Sequence, residues 1–498
     1  MTEQPPQEEH RLIAERKRKI ERLRELGIDP YPYQYDPTHH AAELQTLHAS
    51  LPEQGRSGET VKIAGRLMLF RDMGKLAFGH LQDETGRIQV MLRKDTLGEQ
   101  WKGVELLDLG DFIGVEGEVI KSKTGEVTVE AKSCAILAKS VRPLPDKHKG
   151  LKDEETRMRK RYLDFTMNPE RKELFRKRAL IIDATRRVLA RNGFLEVETP
   201  TLQTQYGGAN AKPFLTHINA WDMRMYLSIS PELYLKRLLV GGFERVYTIC
   251  KNFRNEGVDQ THNPEFTMME SYAAYWDYNQ VMTLTEEIYA ESCIAVNGST
   301  RVERNGTTLE FKSPWPRIRY TDAIKQYAGL DVDAMDRDAL MREAQTRHLE
   351  VGPDATRGDL LMAFFEEYVE SHLIQPCHVI DHPIESTPLC KTLRTGDTTL
   401  IERFESFADG VELSNAYSEL NDPVRQRELF DQQVERGRGG DEEAHPMDTD
   451  YVEALEYGMP PAGGLGIGID RMAIFLTGAE GIRDVILFPI VRPEKEEN

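Results

Sequence analysis

The most informative segment of this chain reads Phe253-Arg254-Asn255-Glu256-Gly257 and continues as His262-Asn263-Pro264-Glu265-Phe266-Thr267-Met268-Met269-Glu270. An arginine next to a glutamate is, by itself, most often half of an ion pair on the surface, because short motifs frequently match by chance. The segment therefore becomes informative only when other parts of the chain support the same interpretation.

Two further segments lie on either side of it. Gly193-Phe194-Leu195-Glu196-Val197-Glu198-Thr199-Pro200 follows an amphipathic helix predicted over residues 170–192, and Gly464-Leu465-Gly466-Ile467-Gly468-Ile469-Asp470-Arg471 opens the last helix. Strand-like and helical patterns mix here without repeats and without regular βαβ alternation. This mixture favours an α+β domain over residues 166–498, built on a mainly antiparallel sheet. Residues 320–375 are richer in helix-forming residues and are predicted to be a helical insertion.

The amino-terminal part of the chain has a different period. Five short runs of alternating apolar residues begin at Val61, Leu76, Ile88, Ile113 and Val127. Short alternating runs separated by turns predict a small β-barrel over residues 58–142, and an oligonucleotide-binding (OB) barrel is one of several folds with this pattern. Residues 1–57 are predicted to form a basic helical extension, and residues 143–165 a linker.

The composition is that of an ordinary globular chain, with 39% hydrophobic and 30% charged residues. No apolar run is long enough to span a bilayer, and the amino terminus lacks a signal-peptide pattern. We therefore expect a cytoplasmic protein without a membrane partner. The five cysteines are scattered and form no Cys-x-x-Cys pair, which predicts free thiols and no zinc site.

The net charge of -19 argues, by itself, against binding to nucleic acid, because phosphate contacts need lysine and arginine. Residues 11–24, however, carry seven basic residues against two acidic ones. Ile13, Ile20 and Leu23 recur at near-helical spacing and are predicted to dock this helix on the body of the protein. A basic helix is as often a solvated surface as an RNA contact, so it needs a second RNA signal to count.

The segments 193–200, 253–270 and 464–471 resemble, in this order, the three signature motifs of the class II aminoacyl-tRNA synthetases. Within that class the chain is most similar to the lysyl-tRNA synthetases, over nearly its whole length. Four segments carry this similarity: Arg142-Pro143-Leu144-Pro145-Asp146-Lys147, Pro231-Glu232-Leu233-Tyr234-Leu235-Lys236, Ser418-Glu419-Leu420-Asn421-Asp422 and Ile482-Arg483-Asp484-Val485-Ile486-Leu487-Phe488-Pro489. The resemblance implies an OB-fold anticodon-binding barrel before a class II catalytic domain, and a homodimer whose interface includes the helix before Gly193.

Activation of an amino acid brings two anions together, because the substrate carboxylate attacks the α-phosphorus of ATP. Guanidinium groups suit this site, since they stay charged and present several donors in a plane. By resemblance, Arg254 bridges the carboxylate and the α-phosphate, and Arg471 binds the γ-phosphate and clamps the adenine. The resemblance assigns further ATP contacts to Glu256, His262, Asn263, Phe266, Glu405 and Glu412. Glu405 and Glu412 would also bind Mg²⁺, which prefers one or two carboxylates plus phosphate oxygens; no organic cofactor is expected.

A closed pocket for an ammonium group needs carboxylates, because a buried unpaired charge is costly. By resemblance, Glu232 and Glu419 hold the ε-ammonium of lysine, and Glu270 holds its α-amino group. The same resemblance lines the pocket with Gly208, Tyr272, Asn415 and Tyr417. Two acids argue against an aspartate pocket, which would need cationic groups opposite the substrate side chain.

In the barrel, Phe78 and Gln89 match residues that read the central uridine of the lysine anticodon, by stacking and by hydrogen bonding. Arg71 and Glu126 are further candidates nearby. Phe78 lies in an alternating strand, so the pattern alone favours a core position equally. With lysine tRNA as the partner, the basic helix becomes a predicted contact to the RNA backbone.

Three other interpretations are compatible with parts of the sequence. An aspartyl- or asparaginyl-tRNA synthetase shares the barrel and the motifs, but the two pocket acids disfavour it. A paralogue that transfers lysine to a protein would have no anticodon to read, and the barrel disfavours it. A catalytically inactive RNA-binding or signalling protein is disfavoured by the presence of Arg254, Glu256 and Arg471.

Overall fold

The computed structural model describes residues 7–145, 151, 153–438 and 446–493, with side chains described from residue 10. The chain divides into two compact units. The first comprises Met1–Glu170 and Arg492–Asn498, and the second comprises Arg171–Val491. Part of the predicted linker, including Asp146-Lys147, lies outside the described residues.

The first unit contains the predicted barrel, which the structure confirms as a closed sheet of five strands. The strands are β1 (Arg56–Asp72), β2 (Leu76–Gln82), β3 (Arg87–Arg93), β4 (Phe112–Lys121) and β5 (Val127–Ala138). Their order is β1-β2-β3-β5-β4, and only the β3–β5 pairing in this barrel is parallel. Alternate residues such as Ile63, Ala77, Val90 and Val129 point inward and form the core.

The helices of the first unit are α1 (Gln7–Glu25), α2 (Ala41–Leu47), α3 (Lys94–Leu97), α4 (Trp101–Val104), α5 (Glu154–Arg159) and α6 (Arg161–Met167). The last two therefore begin within the stretch predicted as a linker. Leu23 of α1 is buried in the barrel core, as expected for a docked helix. Arg16 is also buried, and its guanidinium donates to the carbonyl oxygens of Leu109 and Ser140. This basic residue contributes to packing rather than to an exposed charged face.

The second unit is built on an eight-stranded sheet, and its mainly antiparallel character is confirmed. The strands of the whole second unit are β6 (Leu195–Glu196), β7 (Leu202–Gln203), β8 (Leu215–Ile218), β9 (Met223–Leu227), β10 (Arg245–Phe253), β11 (Glu265–Ala274), β12 (Arg301–Arg304), β13 (Thr307–Glu310), β14 (Arg317–Arg319), β15 (Cys377–Pro383), β16 (Leu400–Ala408), β17 (Val411–Ser418) and β18 (Ala462–Gly468). Of these, β7–β9 and β12–β13 form two smaller sheets. The order in the large sheet is β14-β15-β16-β17-β18-β11-β10-β6. Its two edge pairings, β14–β15 and β6–β10, are parallel.

The helices of the second unit are α7 (Lys172–Arg191), α8 (Glu232–Val240), α9 (Tyr278–Asn297), α10 (Tyr320–Ala328), α11 (Arg337–Thr346), α12 (Arg357–Tyr368), α13 (Pro423–Arg438), α14 (Thr449–Glu456), α15 (Ile469–Thr477) and α16 (Ile482–Val485). Helix α7 ends at Gly193, which has φ +78°, a conformation that glycine adopts without strain. Helices α10 to α12 occupy the stretch 320–375 and share a core that includes Phe364 and Phe407.

One face of the large sheet is covered by helices, and the other carries polar side chains. Val188 of α7, Ile288 of α9 and Phe475 of α15 belong to the same core as the sheet residues Met269 and Ile467. The opposite face is covered in part by α8 and α14, and the remainder forms a polar cavity. In the described part of the chain no helix is long and apolar enough to cross a bilayer. All five cysteines are free.

Candidate active site

A cavity of about 250 Å³ lies on the polar face of the large sheet. The register of the strands explains which side chains meet there. Glu270 of β11 lies opposite Gly466 of β18, which in turn lies opposite Asn415 of β17. Because side chains alternate between the two faces of a sheet, residues two apart on each strand point into the same cavity. Ten predicted residues line it: Gly208, Glu232, Arg254, Glu270, Tyr272, Glu405, Glu412, Asn415, Tyr417 and Glu419.

The floor of the cavity is made by glycines. A Cβ atom on Gly464 would lie 1.9 Å from Oε1 of Glu419 and 2.5 Å from the ring of Tyr272. A side chain at this position would therefore displace the acid from the cavity. The glycine-rich strand β18 brings the backbone close to the pocket, which explains why this segment carries so few side chains.

Glu232 and Glu419 are both buried in the cavity wall, and a lysine of the chain lies between them. Nζ of Lys236 is 2.6 Å from Oε1 of Glu232 and forms an ion pair with Oε2 of Glu419. Burial raises the pKa of Glu232, and raises that of Glu419 to about 8. Burial opposes the charge of Lys236 as well, but attraction to the two acids outweighs it and raises the pKa of Lys236 well above its ordinary value.

Glu270 is the third buried carboxylate of the cavity. Ser230 donates to its Oε1 at 2.9 Å, and the hydroxyl of Tyr272 donates to its Oε2 at 3.2 Å. Burial, reinforced by repulsion from Glu232, raises the pKa of Glu270 to about 8. A cationic ligand would reverse both effects, because it would favour the ionised carboxylate.

Arg254 supplies the positive charge of the cavity. Its guanidinium lies over the ring of Phe266, with Cζ 5.1 Å from the ring centre. No carboxylate of the described residues forms an ion pair with it, and its buried Nε has no hydrogen-bond acceptor there. Burial lowers the pKa of Arg254, yet an arginine keeps its charge at neutral pH. Such a group is suited to an anionic ligand.

Two arginine–glutamate pairs lie at the same cavity, which Arg403, Glu405 and Glu412 line and Arg471 does not. Arg403 forms an ion pair with Glu405 and donates to Oδ1 of Asn415 at 3.0 Å. Arg471 donates to the carbonyl oxygen of Glu412 at 2.7 Å, and lies 3.2 Å from its Oε2. Each pair joins a cation that suits phosphate to a carboxylate that suits a hard metal ion.

In the first unit, the barrel candidates lie outside the barrel core, although Gln89 is buried. Arg71 pairs with Phe78 across β1 and β2, and Phe78 is half-buried outside the barrel core. The amide nitrogen of Gln89 donates to Glu126 at 2.6 Å, and its oxygen accepts from Thr128 at 2.8 Å. The core position that the alternation allowed for Phe78 is therefore wrong, because Ala77 points inward instead.

Residues 153–492 match the family model described as class II tRNA synthetases (D, K and N). The chain belongs to the class II tRNA synthetases. Residues 61–137 of this synthetase match the model of the OB-fold nucleic acid binding domain, which confirms the predicted barrel type.

Curated relatives of this synthetase carry the name lysine–tRNA ligase. The one from Pelotomaculum thermopropionicum is 50% identical over 97% of this chain and 95% of its own length. Those from Clostridium novyi and Carboxydothermus hydrogenoformans are each 49% identical, over 97% and 98% of this chain and 95% and 99% of their own lengths. The similarity thus spans both units.

The structure does not bring every predicted ATP residue of this synthetase into the cavity. Glu256 and His262 are exposed on the loop between β10 and β11, where His262 lies 2.9 Å from Oδ2 of Asp259. Asn263 is buried at the end of this loop, and its Oδ1 has no hydrogen-bond donor among the described residues. These three residues do not line the cavity. They belong to the loop that begins at Arg254.

Several residues of the site were not predicted from the sequence. Ser230, Lys236 and Arg403 all bind predicted acids of the cavity, directly through side-chain atoms. For Lys236 a signal existed, because it follows Glu232 by four residues on a helix, and such residues share one face. For Arg403 a signal existed only in part, because it precedes Glu405 by two residues on one strand, whereas its other partner, Asn415, becomes a neighbour only when β16 and β17 pair.

Proposed function

We propose that this synthetase activates lysine with ATP and transfers it to the 3′ end of lysine tRNA. One observation carries the proposal: the cavity presents three buried carboxylates, Glu232, Glu270 and Glu419, together with the unpaired guanidinium of Arg254. Lysine has two ammonium groups and one carboxylate, so its charges are the complement of this set. Relatives named lysine–tRNA ligase support the same conclusion.

The same charges disfavour an aspartyl or asparaginyl enzyme. An aspartate side chain would bring a negative charge toward Glu232 and Glu419. Lys236 offsets only part of this negative charge, because one ammonium is shared by two acids and it does not line the cavity. Repulsion between like charges in a desolvated site would therefore exclude aspartate.

The reaction has two steps. In the first, a carboxylate oxygen of lysine attacks the α-phosphorus of ATP and pyrophosphate leaves, which gives lysyl-adenylate. Arg254 would neutralise the two anions as they approach, and Arg471 would bind the γ-phosphate. In the second step, a terminal hydroxyl of the tRNA attacks the carbonyl carbon of the adenylate, and AMP leaves. Glu256, His262, Asn263 and Phe266 would complete the ATP site.

Magnesium would enter the site with ATP. Glu405 and Glu412 fit such an ion, because both carboxylates border the cavity and neither is deeply buried, at 18% and 39% side-chain exposure. Mg²⁺ takes one or two carboxylates and completes its shell with phosphate oxygens and water. When bound, it would neutralise part of the phosphate charge.

The barrel would read the anticodon of lysine tRNA, in the cytoplasm where that substrate occurs. Phe78 offers an accessible ring for stacking, and Gln89 offers an amide beside it, although both ends of this amide bind Glu126 and Thr128 in the free protein. Base recognition would therefore require Gln89 to exchange a partner. Five basic residues of α1 stay exposed and would contact the RNA backbone: Arg11, Lys17, Arg18, Arg22 and Arg24.

The synthetase would act as a homodimer. Leu180 of α7 and Leu195 of the edge strand β6 are 43% and 52% exposed, although both are large apolar residues. Exposed leucines on a helix and at a sheet edge are typical of a surface that a partner covers.

Amino-acid-dependent exchange of pyrophosphate into ATP tests the first step without tRNA. We expect lysine to support exchange far better than aspartate or asparagine. Aminoacylation of lysine tRNA then tests the second step. Exchange that prefers aspartate, or that depends on no amino acid, would contradict the proposed function.

A further inference from the structure

Lys236 has no role in the reaction described so far, yet it is one of the most buried charged groups of the chain. Its side chain is fully buried, and its ammonium lies between the two acids assigned to the substrate side chain. Lys236 and Glu232 are one helical turn apart on α8, so the helix itself directs both toward Glu419. An inference about Lys236 rests on the proposed lysine specificity.

The two acids separate Lys236 from the cavity. Glu232 and Glu419 line the cavity, whereas Lys236 does not. Oε2 of Glu419 pairs with Lys236, and its Oε1 points to the glycine floor at Gly464. Within the described chain, neither oxygen of Glu419 accepts a hydrogen bond from a well-aligned donor. The two oxygens differ because Oε2 forms the ion pair with Lys236, whereas Oε1 has no ionic partner there.

The charges of this cluster depend on one another. Burial is the largest cause that raises the pKa of Glu232 and of Glu419, and attraction to Lys236 is the largest cause that opposes it in both groups. Without Lys236, the acids would face each other in a desolvated wall without this opposing attraction, so their pKa values would rise further and they would stay protonated to a higher pH. The wall would then attract a cation less strongly.

We propose that Lys236 is a positioning residue of the lysine pocket, whose ammonium balances the charge of Glu232 and Glu419 and fixes one oxygen of each, so that the remaining oxygens meet the substrate. Two carboxylates are then shared by two ammonium groups, one internal and one brought by lysine. The charges cancel only when the ligand side chain carries a cation. Lys236 thereby contributes to the rejection of neutral analogues without touching the substrate.

Lys236→Met tests this role, because methionine fills a similar volume and carries no charge. The KM for lysine is measured by pyrophosphate exchange between about pH 6 and about pH 9, for the variant and the parent side by side, so that titration of the α-amino group of lysine affects both alike. We expect this KM to rise at least about tenfold at neutral pH, and the pH at which it levels off to move up by about one unit or more. The KM for ATP should stay close to that of the parent protein.

Lys139→Met is the matched control. Lys139 is equally buried, and its ammonium lies between Asp108 and Asp111, but it belongs to the barrel unit. It should lower stability without changing the KM for lysine or its pH dependence. Lys236→Arg keeps a charge and should retain the pH dependence of the parent, even if its KM is higher.

Two results would overturn the proposal. One is a Lys236→Met protein that loses only its folded, active fraction and keeps the KM and the pH profile of the parent. The other is a Lys236→Arg protein with the pH profile of Lys236→Met. If Lys236→Met does not fold, the substitution is made in the Glu419→Gln protein, where one acid is already neutral, and the pH profile of the double variant is compared with that of Glu419→Gln alone. An unchanged pH profile in this comparison contradicts the proposal equally. A parent protein without lysine-dependent exchange would contradict the proposed function instead.

Discussion

Of the pocket acids, Glu419 is the one whose loss should weaken binding of the substrate side chain most. It is fully buried, and one of its oxygens has no hydrogen-bond donor within the described chain. In Glu419→Gln, Lys236 and the ε-ammonium of lysine would have to share Glu232 alone. Breaking a buried pair costs about 3–5 kcal/mol, so kcat/KM for lysine should fall by roughly two to four powers of ten in pyrophosphate exchange.

The control for this substitution is Glu402→Gln on the neighbouring strand β16. Glu402 is also buried and paired, with Arg394, but it does not line the cavity. It should lower stability and leave kcat/KM for lysine unchanged. Glu419→Gln protein that used lysine as well as the parent does would show that the ammonium lies elsewhere.

A series of substrate analogues tests charge recognition in the unmodified protein. Ornithine is one methylene shorter than lysine and should be rejected by about 1–3 kcal/mol, for the lost apolar contact. Norleucine keeps the stem but lacks the ammonium, so it leaves Glu232 and Glu419 without their second cation and should be rejected more strongly. We therefore expect kcat/KM in pyrophosphate exchange to fall in the order lysine, ornithine, norleucine. A kcat/KM that is higher for norleucine than for ornithine would indicate that the pocket recognises the shape of the side chain and not its charge.

Binding of lysine should depend on pH in one direction. Glu270 and Glu419 both have a pKa of about 8 in the empty cavity, so below that pH they hold protons in part. Each would face an ammonium of the substrate, which favours the ionised form and lowers the pKa on binding. Binding therefore releases protons, and affinity should rise as the pH approaches about 8 and level off above it. Calorimetry in buffers of different ionisation enthalpy measures the release, and proton uptake would refute the assignment.

The sequence predicted a site residue when the pattern that identifies it lies within one continuous segment. Arg254, Glu270 and Arg471 were predicted because they lie inside continuous motifs. Ser230 was not, because no sequence spacing relates it to Glu270, which it binds. Phe78 illustrates the opposite limit: alternation identified the strand, but only the burial of Ala77 shows which face points inward.

At the scale of elements, alternation predicted where the barrel strands lie but not how they pair. The parallel contact between β3 and β5 closes the barrel and brings Thr128 beside Gln89. Likewise, the mixed pattern of the second unit predicted an antiparallel sheet, whereas its order and parallel edges depend on long-range contacts. Strand period is a local property, and strand order is not.

The outer surface of β2 and β3 should affect only the step that uses tRNA. Phe78→Ala and Gln89→Ala should each weaken aminoacylation, by about 1–3 kcal/mol for a lost stacked base in the case of Phe78. Pyrophosphate exchange should stay nearly unchanged, because it needs no tRNA. Phe112→Ala removes another exposed ring of the same barrel, from β4, and should affect neither reaction. A parallel fall of exchange and aminoacylation would contradict the role assigned to this surface.

For the whole molecule, average charge was a poor guide to partners. The chain carries a net charge of -19, yet the residues of α1 concentrate positive charge at one end of the sequence. Part of that charge holds the helix in place, since Lys19 pairs with Asp108 at 2.7 Å and Arg16 is buried. A count of basic residues therefore overestimates the charge available to RNA, and only the structure separates the two uses.

Dimer formation is the prediction that concerns the complete chain. Leu180 and Leu195 expose large apolar surfaces at α7 and at the edge strand β6, which a second copy would cover. Sedimentation at micromolar concentration should give twice the 57.0 kDa of one chain. Leu180→Asp combined with Leu195→Asp should dissociate the dimer, because burying two carboxylates per chain costs more than the interface gains. Val424→Asp, at an even more exposed apolar residue of α13, should leave it intact. A fully active parent that sediments as a single chain would disprove the dimer.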